Sequence, residues 1–168
     1  MITARTSCNR NSETLWNYTL SVNPETEFAH NNLAIIARAQ GNLGLALTHA
    51  RVAVRIRPTY AEAFNNMGAI LAGQGKMDEA VIQIKEAVRL KPEYIGAHSN
   101  LGAILSFQKK YDEAIPQYLG ILHRNPNHEN ARFNLAIALM AQGRYAEAAP
   151  QYVEALRLNP TTPWRTII

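Results

Sequence analysis

Five prolines, Pro24, Pro58, Pro92, Pro126 and Pro160, divide the chain at intervals of 34 residues. No other feature constrains the fold as tightly. A fixed period of this length marks a stack of similar supersecondary units rather than a domain with one closed core. Further columns keep the same register. Leu33, Met67, Leu101 and Leu135 form one, and Ala34, Gly68, Gly102 and Ala136 follow it directly. Ala46, Ala80, Ala114 and Ala148 form a third, again without an insertion.

Inside each period the pattern predicts a helix, a tight turn and a second helix. From Ala61 to Gly73 the apolar residues at 64, 67, 70 and 71 have the three-and-four spacing of a helix face. Gly73-Gln74-Gly75-Lys76 then interrupts the pattern, since glycine costs about 1 kcal/mol inside a helix. Asp78 is the expected N-cap of the following helix, which runs to about Lys91 and stops before Pro92. Gly41 and Gly143 mark equivalent breaks. Lys109 stands at that place in the third unit, where a slightly different turn is expected.

The small columns have a packing reason. Ala34 or Gly68 on a first helix and Ala46 or Ala80 on a second let the pair approach closely, while Leu33, Leu71, Leu105 and Tyr118 fill the space beside them. Trp16, Tyr111, Tyr118, Tyr145 and Tyr152 recur at positions that suit packing between repeats. Pro116 and Pro150 fall in what reads as the first turn of second helices, where at most one hydrogen bond is lost. A lone hairpin leaves an apolar face open, so stacking on a neighbour creates the core. The chain therefore divides into a polar tail (1–11), a half repeat contributing only a second helix (12–26), and four full units at 27–60, 61–94, 95–128 and 129–162. Residues 163–168 read as a tail or the truncated start of another helix.

The blocks "AEAFNNMGAILAGQGKMDEAVIQIKEAVRLKP" and "NLAIALMAQGRYAEAAPQYVEALRLNP" closely resemble the tetratricopeptide repeat (TPR) family. The likeness covers 27–160 as four units, with "SETLWNYTLSVNP" at 12–24 as part of another. It implies an all-α, right-handed superhelix whose first helices line a concave groove that binds protein segments. His30, His98 and Arg132 depart from it where the family often has an aromatic, and Ile121 where it prefers alanine.

On that reading, the inner face carries Phe28, Asn31, Asn32 and Ile35, then Glu62, Asn65, Asn66 and Ala69. Ser99, Asn100, Ala103 and Phe107 follow, then Asn130, Phe133, Asn134 and Ile137. The sharpest feature is the column Asn32, Asn66, Asn100 and Asn134, because an asparagine amide can pair with both the N–H and the C=O of a peptide backbone. At about 1 kcal/mol net each, four such contacts fall short of the ~8 kcal/mol of micromolar affinity. Phe28, Phe107 and Phe133 are therefore expected to anchor apolar side chains, with Asn31, Asn65 and Ser99 beside them. The column, with "AHNNLA" at 29–34 and "AHSNLG" at 97–102, resembles the repeat region of O-linked N-acetylglucosamine transferases. That likeness implies recruitment of extended polypeptides for a separate catalytic domain. A second reading stands beside it: asparagine here is general repeat consensus held by helix–helix contacts. The branch of the family that clamps acidic chaperone C-termini uses lysines where this chain has Asn31, Ile35, Glu62, Asn65 and Ala69, which argues against that use.

A net charge of +4 invites a nucleic-acid partner, but its placement argues against one. Arg55, Arg57, Arg89, Lys91, Arg124 and Arg157 each lie within three residues of a proline that ends a helix, where cations oppose the partial charge of exposed carbonyls. Helical-pair proteins that read one RNA base per repeat are the nearest architectural competitor. The strict period and terminal proline match the peptide-binding type better.

Cys8 is the single cysteine, so neither an internal disulfide nor a cysteine cage can form. His30 and His98 share a column two repeats apart without a carboxylate or cysteine at ligand spacing, and His49, His123 and His128 stand alone. "GQGK" at 73–76 lacks the strand and Ser/Thr of a phosphate loop. The sequence thus points to no catalytic residue, metal or cofactor. No apolar run approaches the ~20 residues of a membrane span, and Met1 to Asn11 lacks the apolar core of a secretory signal. "SETLW" resembles bacterial proteins whose repeats follow a membrane domain, which would place the repeats in cytoplasm or periplasm. Trp164, Ile167 and Ile168 make no polar cap. That predicts excision from a longer protein or pairing with a second copy, and so a structural assembly role as the alternative function.

Overall fold

The computed structural model describes residues 3–159, with side chains from Ser12 onward, and these residues form helices and turns without a strand. The segment 163–168 lies outside the described residues. Two compact units divide the chain, Met1–Pro92 and Glu93–Ile168. In the first, α1 (Thr3–Val22) packs on α2 (Glu27–Ala39), α2 pairs with α3 (Leu43–Ile56), and α4 (Ala61–Gly73) pairs with α5 (Met77–Leu90). α3 also packs on α4, which joins the two hairpins. The second unit pairs α6 (Ile95–Phe107) with α7 (Tyr111–Arg124) and α8 (Glu129–Ala141) with α9 (Tyr145–Leu158), with α7 against α8. α1 begins at Thr3, so its backbone is helical through most of the stretch read as a polar tail.

One turn geometry recurs inside all four hairpins. The N–H groups of Asn42, Lys76, Lys110 and Arg144 donate back to the carbonyls of Ala37, Leu71, Leu105 and Leu139, at 2.8–3.0 Å. This six-to-one bond ends a helix through a left-handed residue. Gly75 fills that place at φ +79°, and Lys109 fills it at φ +60°. The turn at Lys109 is therefore the same as the others, not a variant. The helix-ending bond dictates the backbone there, and the lysine accepts a strain of ~1–2 kcal/mol.

Two other expectations are corrected. Asp78 is not an N-cap. The Ala80 N–H already bonds the Lys76 carbonyl at 3.0 Å, so α5 starts at Met77 and Asp78 sits in its first turn, where a carboxylate favours the helix dipole. Pro116 and Pro150 occupy the sixth positions of α7 and α9, beyond the first turn. Each removes one backbone bond from an exposed side, and the helices continue to Arg124 and Leu158.

The small columns are the tightest contacts. Ala34, Ala46, Ala80, Ala114 and Ala136 are fully buried. A Cβ on Gly68 would collide with the Ile84 side chain and lie 3.0 Å from the Ala80 carbonyl oxygen; one on Gly102 would lie 2.6 Å from the Tyr118 ring. Helix pairs this close leave no room for a methyl group. Ile121, where alanine was the family preference, is fully buried in the second unit's core.

The departures from aromatic residues also have a structural role. Arg132 donates from Nε to the Pro126 carbonyl at 2.8 Å and from Nη1 to Gln151 Oε1 at 2.7 Å. His30 makes the same two reaches, from Nε2 to the Pro24 carbonyl at 3.1 Å and from Nδ1 to His49 Nδ1 at 2.9 Å. His98 Nδ1 meets Gln117 Oε1 at 2.9 Å. A polar clasp across the hairpin replaces the family's ring.

Candidate functional site

In the first unit the two expected groove helices present a mixed face. Phe28 is 46% exposed, Ile35 is exposed at the edge, and Asn32 and Asn66 are half-buried. Their amides are partly engaged within the protein. Asn32 Nδ2 donates to the carbonyl of Phe28 one turn earlier, at 2.7 Å, and Asn66 Nδ2 donates to Asn31 Oδ1 at 2.8 Å. Each keeps its carbonyl oxygen and a second N–H for another partner. Asn31 and Asn65, expected on the groove surface, are only 5% exposed. For Asn31 the cause is plain: it accepts from Asn66 and donates to the Tyr60 hydroxyl at 3.4 Å, which draws it between the helices.

Beside this face lies a pocket of about 510 Å³, lined by Phe28, Arg57, Thr59, Tyr60, Ala61, Glu62, Leu90 and Lys91. The starts of α2 and α4 and the ends of α3 and α5 meet there. Phe28 and Tyr60 pack edge-to-face with centroids 5.3 Å apart. The Arg57 guanidinium sits 5.8 Å from the Phe28 centroid and 5.4 Å from that of Tyr60, within cation–π range of both. Its ion pair to Glu27 is long, 3.5 Å. Lys91, by contrast, donates to Glu62 at 2.9 Å. That hydrogen bond is the largest influence on the Glu62 carboxyl and holds it below the usual carboxylate range, outweighing the opposing effect of burial.

The second unit distributes its residues differently. Ser99, Asn100 and Asn134 are half-buried, Phe107 is 73% exposed, and Phe133 lies against Tyr152 with ring centroids 5.7 Å apart. One repeat period relates Arg57 and Tyr60 to Lys91 and Tyr94, and two periods relate them to Asn125 and His128. The latter pair serves its own turn: Asn125 Oδ1 accepts from the Asn127 N–H at 3.2 Å, and His128 Nδ1 caps α8 by accepting from the Ala131 N–H at 3.2 Å.

Sequence reasoning named Phe28 and placed Glu62 on the inner face, but it read Arg57 and Lys91 as helix-end charges and passed over Tyr60. A usable signal existed. An arginine and an aromatic flank Pro58-Thr59 at positions where the last junction has Asn125 and His128. Among the described residues, no three His, Cys, Asp or Glu side chains gather as a metal site would require. No helix of the described residues is long and apolar enough to cross a membrane.

Comparison with known proteins agrees with this architecture. Tetratricopeptide repeat models match residues 9–61 and 100–163, and residues 61–94. Among solved structures, MamA is similar at 20% identity with a TM-score of 0.82, covering 93% of this chain and 92% of MamA. Pseudomonas aeruginosa PilF is similar at 24% identity with a TM-score of 0.84, covering 92% of this chain and 71% of that one. YrrB, described as a TPR protein with an unusual peptide-binding site, shares 16% identity and a TM-score of 0.76, over 94% of this chain and 81% of its own. No curated protein sequence matches. These structural likenesses show an all-α fold of repeated helical hairpins. The repeated columns, the paired helices and the matches over most of the chain together place this protein in the tetratricopeptide repeat family.

Proposed function

We propose that this chain is a protein-interaction module that holds an extended or helical peptide against the first helices of its hairpins, any catalysis belonging to an attached domain. The observation that carries this reading is the face formed by Phe28, Asn32, Ile35 and Asn66, where apolar surface and unsatisfied amide groups lie side by side. Such a face offers backbone pairing and apolar anchorage together, which is what a peptide without fixed sequence requires. YrrB, a relative in fold, is described as having a peptide-binding site. Phe107 and Ile137 extend the same chemistry within the second unit. In its finer form, the proposal gives the chain the substrate-recruiting part of a larger glycosyltransferase-like protein.

A peptide array probed with the parent chain and with Asn66→Ala/Asn100→Ala tests the reading. Two lost hydrogen bonds at about 1 kcal/mol each should weaken capture by roughly tenfold or more. Equal capture by both proteins would show that the asparagines serve the fold alone.

A second reading, self-association, has its own support. Leu15, Tyr18 and Val22 of α1 are 56%, 68% and 69% exposed at helical spacing, and Tyr145 and Val153 of α9 are 68% and 64% exposed. Light scattering over a wide concentration range checks it: a mass that stays at the monomer value would exclude pairing through these faces.

A further inference from the structure

We infer that the pocket beside α2 and α4 is a carboxylate-reading subsite, in which Arg57 binds an acidic group of a peptide while Phe28 and Leu90 hold the apolar part next to it. The inference rests on the peptide-binding reading above and adds the chemistry of the ligand.

Three observations carry it. First, the arginine is aimed but only loosely paired. Most arginines with a carboxylate in reach are locked to it in this protein: Arg89 to Glu86, Arg144 to Glu147 and Arg157 to Glu154 each make two hydrogen bonds of 2.6–2.8 Å. The Arg57 guanidinium is ion-paired to Glu27 at 3.5 Å, a looser contact than those three bidentate pairs. It is nevertheless held in place by the rings of Phe28 and Tyr60. A planar fork of donors fixed by aromatic contacts matches a bidentate acceptor.

Second, the open depression of about 510 Å³ has room for an acidic side chain and its apolar neighbour. Phe28 and Leu90 give the wall apolar surface, and α4 begins at Ala61 on the same wall without a side-chain cap, so its positive end adds to the attraction.

Third, the charge balance selects a singly charged group. Two cations, Arg57 and Lys91, are matched by Glu27 and Glu62, and Lys91 is already hydrogen-bonded to Glu62. Glu27 and Glu62 would repel a dianionic phosphate more strongly than a monoanion. A carboxylate needs only the unused donors of Arg57. Of the positions 31, 35, 62, 65 and 69, where the chaperone-binding relatives would carry their clamp, only Glu62 lines this subsite, and Arg57, at the junction between hairpins, is not among them.

The test uses the full chain and fluorescein-labelled octapeptides bearing one aspartate or glutamate flanked by leucine and valine, with amidated C-termini. Matched sets replace the acid by asparagine or glutamine, and a third set is neutral with a free C-terminal carboxylate. Fluorescence anisotropy should show the acidic set binding about tenfold more tightly than the amide set, as expected for a charge-assisted pair. In Arg57→Gln that preference should vanish, the acidic and amide sets binding alike. Arg57→Lys, which keeps the charge but loses the fork, should restore only part of it. Stronger binding of the free-terminus set would assign the carboxylate to the peptide end instead of a side chain. If peptides bind without preferring acid, the carboxylate subsite is refuted and peptide binding stands. If no peptide set binds the parent chain, both readings fall. Matching circular dichroism of the variants excludes unfolding as the cause.

Discussion

The two units solve the same junction in opposite ways. Between α7 and α8, Asn125 closes the turn onto the Asn127 N–H, and His128 satisfies the Ala131 N–H that the helix start would otherwise leave open. Between α3 and α4, Arg57 and Tyr60 occupy the corresponding places; α4 starts without a side-chain cap, and both residues line a pocket with Phe28. A cap contributes about 1 kcal/mol. The first unit forgoes that stabilisation and keeps an oriented guanidinium. A repeat fold tolerates such exchange because each hairpin draws its stability mainly from its neighbours.

The largest effect should come from the packing that both units share. Gly102→Ala places a methyl group against the Tyr118 ring and should cost the second unit about 2–3 kcal/mol, read by urea unfolding with hydrogen exchange to locate the loss in α6 and α7. The equivalent Gly68→Ala meets a fully buried, β-branched Ile84 and the fixed Ala80 carbonyl, so a loss at least as large is expected. If Gly68→Ala costs less, the size of the facing side chain governs this column rather than backbone proximity.

Exchanging the junctions should have the next largest effect. Arg57→Asn with Tyr60→His gives the first unit the residues of the second. The introduced cap should offset only part of the lost aromatic pair, worth about 0.5–1.5 kcal/mol, and of the Tyr60 hydroxyl that Asn31 reaches, so the melting temperature should fall slightly. The preference for acidic peptides, about tenfold, should disappear. A variant that keeps it would show that the contrast between the junctions has no bearing on binding.

Lys109→Gly relieves a left-handed lysine and should stabilise the second unit by roughly 1 kcal/mol. An unchanged unfolding midpoint would mean that side-chain contacts of Lys109 compensate for its backbone.

The smallest effect separates the hairpin clasps. Burial, and then the charge of His30, push the His49 pKa below its ordinary value. The unfolded chain therefore takes up this proton first as pH falls. The clasp contributes its full stabilisation above about pH 6.5 and loses it as pH drops from there through the lower, folded-state pKa. For one half-exposed hydrogen bond the change should be under ~1 kcal/mol. Arg132 and Gln151 make the same clasp without a group that titrates in this range. Hydrogen exchange at pH 7.5 and pH 5 should show α2 and α3 loosening at the lower pH. Placing the second unit's pair in the first, His30→Arg with His49→Gln, should remove the difference.

Much of the fold was legible from spacing alone, because a side chain repeated every 34 residues must meet the same neighbours in each copy. Leu33, Leu101 and Leu135, and the alanine columns, could be read as core for that reason, and they are buried. The site was less legible. Asn31 and Asn32 are adjacent letters, yet one is drawn between helices by Asn66 and Tyr60 while the other stays half-buried at the surface. Helical rotation of about 100° per residue separates them, and only the packing of α2 on α4 decides which side turns inward.

By itself, then, the sequence determined the helices, their pairing and the family, since those follow from local periodicity and from the apolar surface that each hairpin must cover. Tertiary structure alone decided the use of the polar residues. Whether Arg57 is a helix-end charge or a pocket wall, and whether His30 is a stray substitution or half of a clasp, depends on side chains from other helices. Their distances are set by packing and carry no signature along the chain.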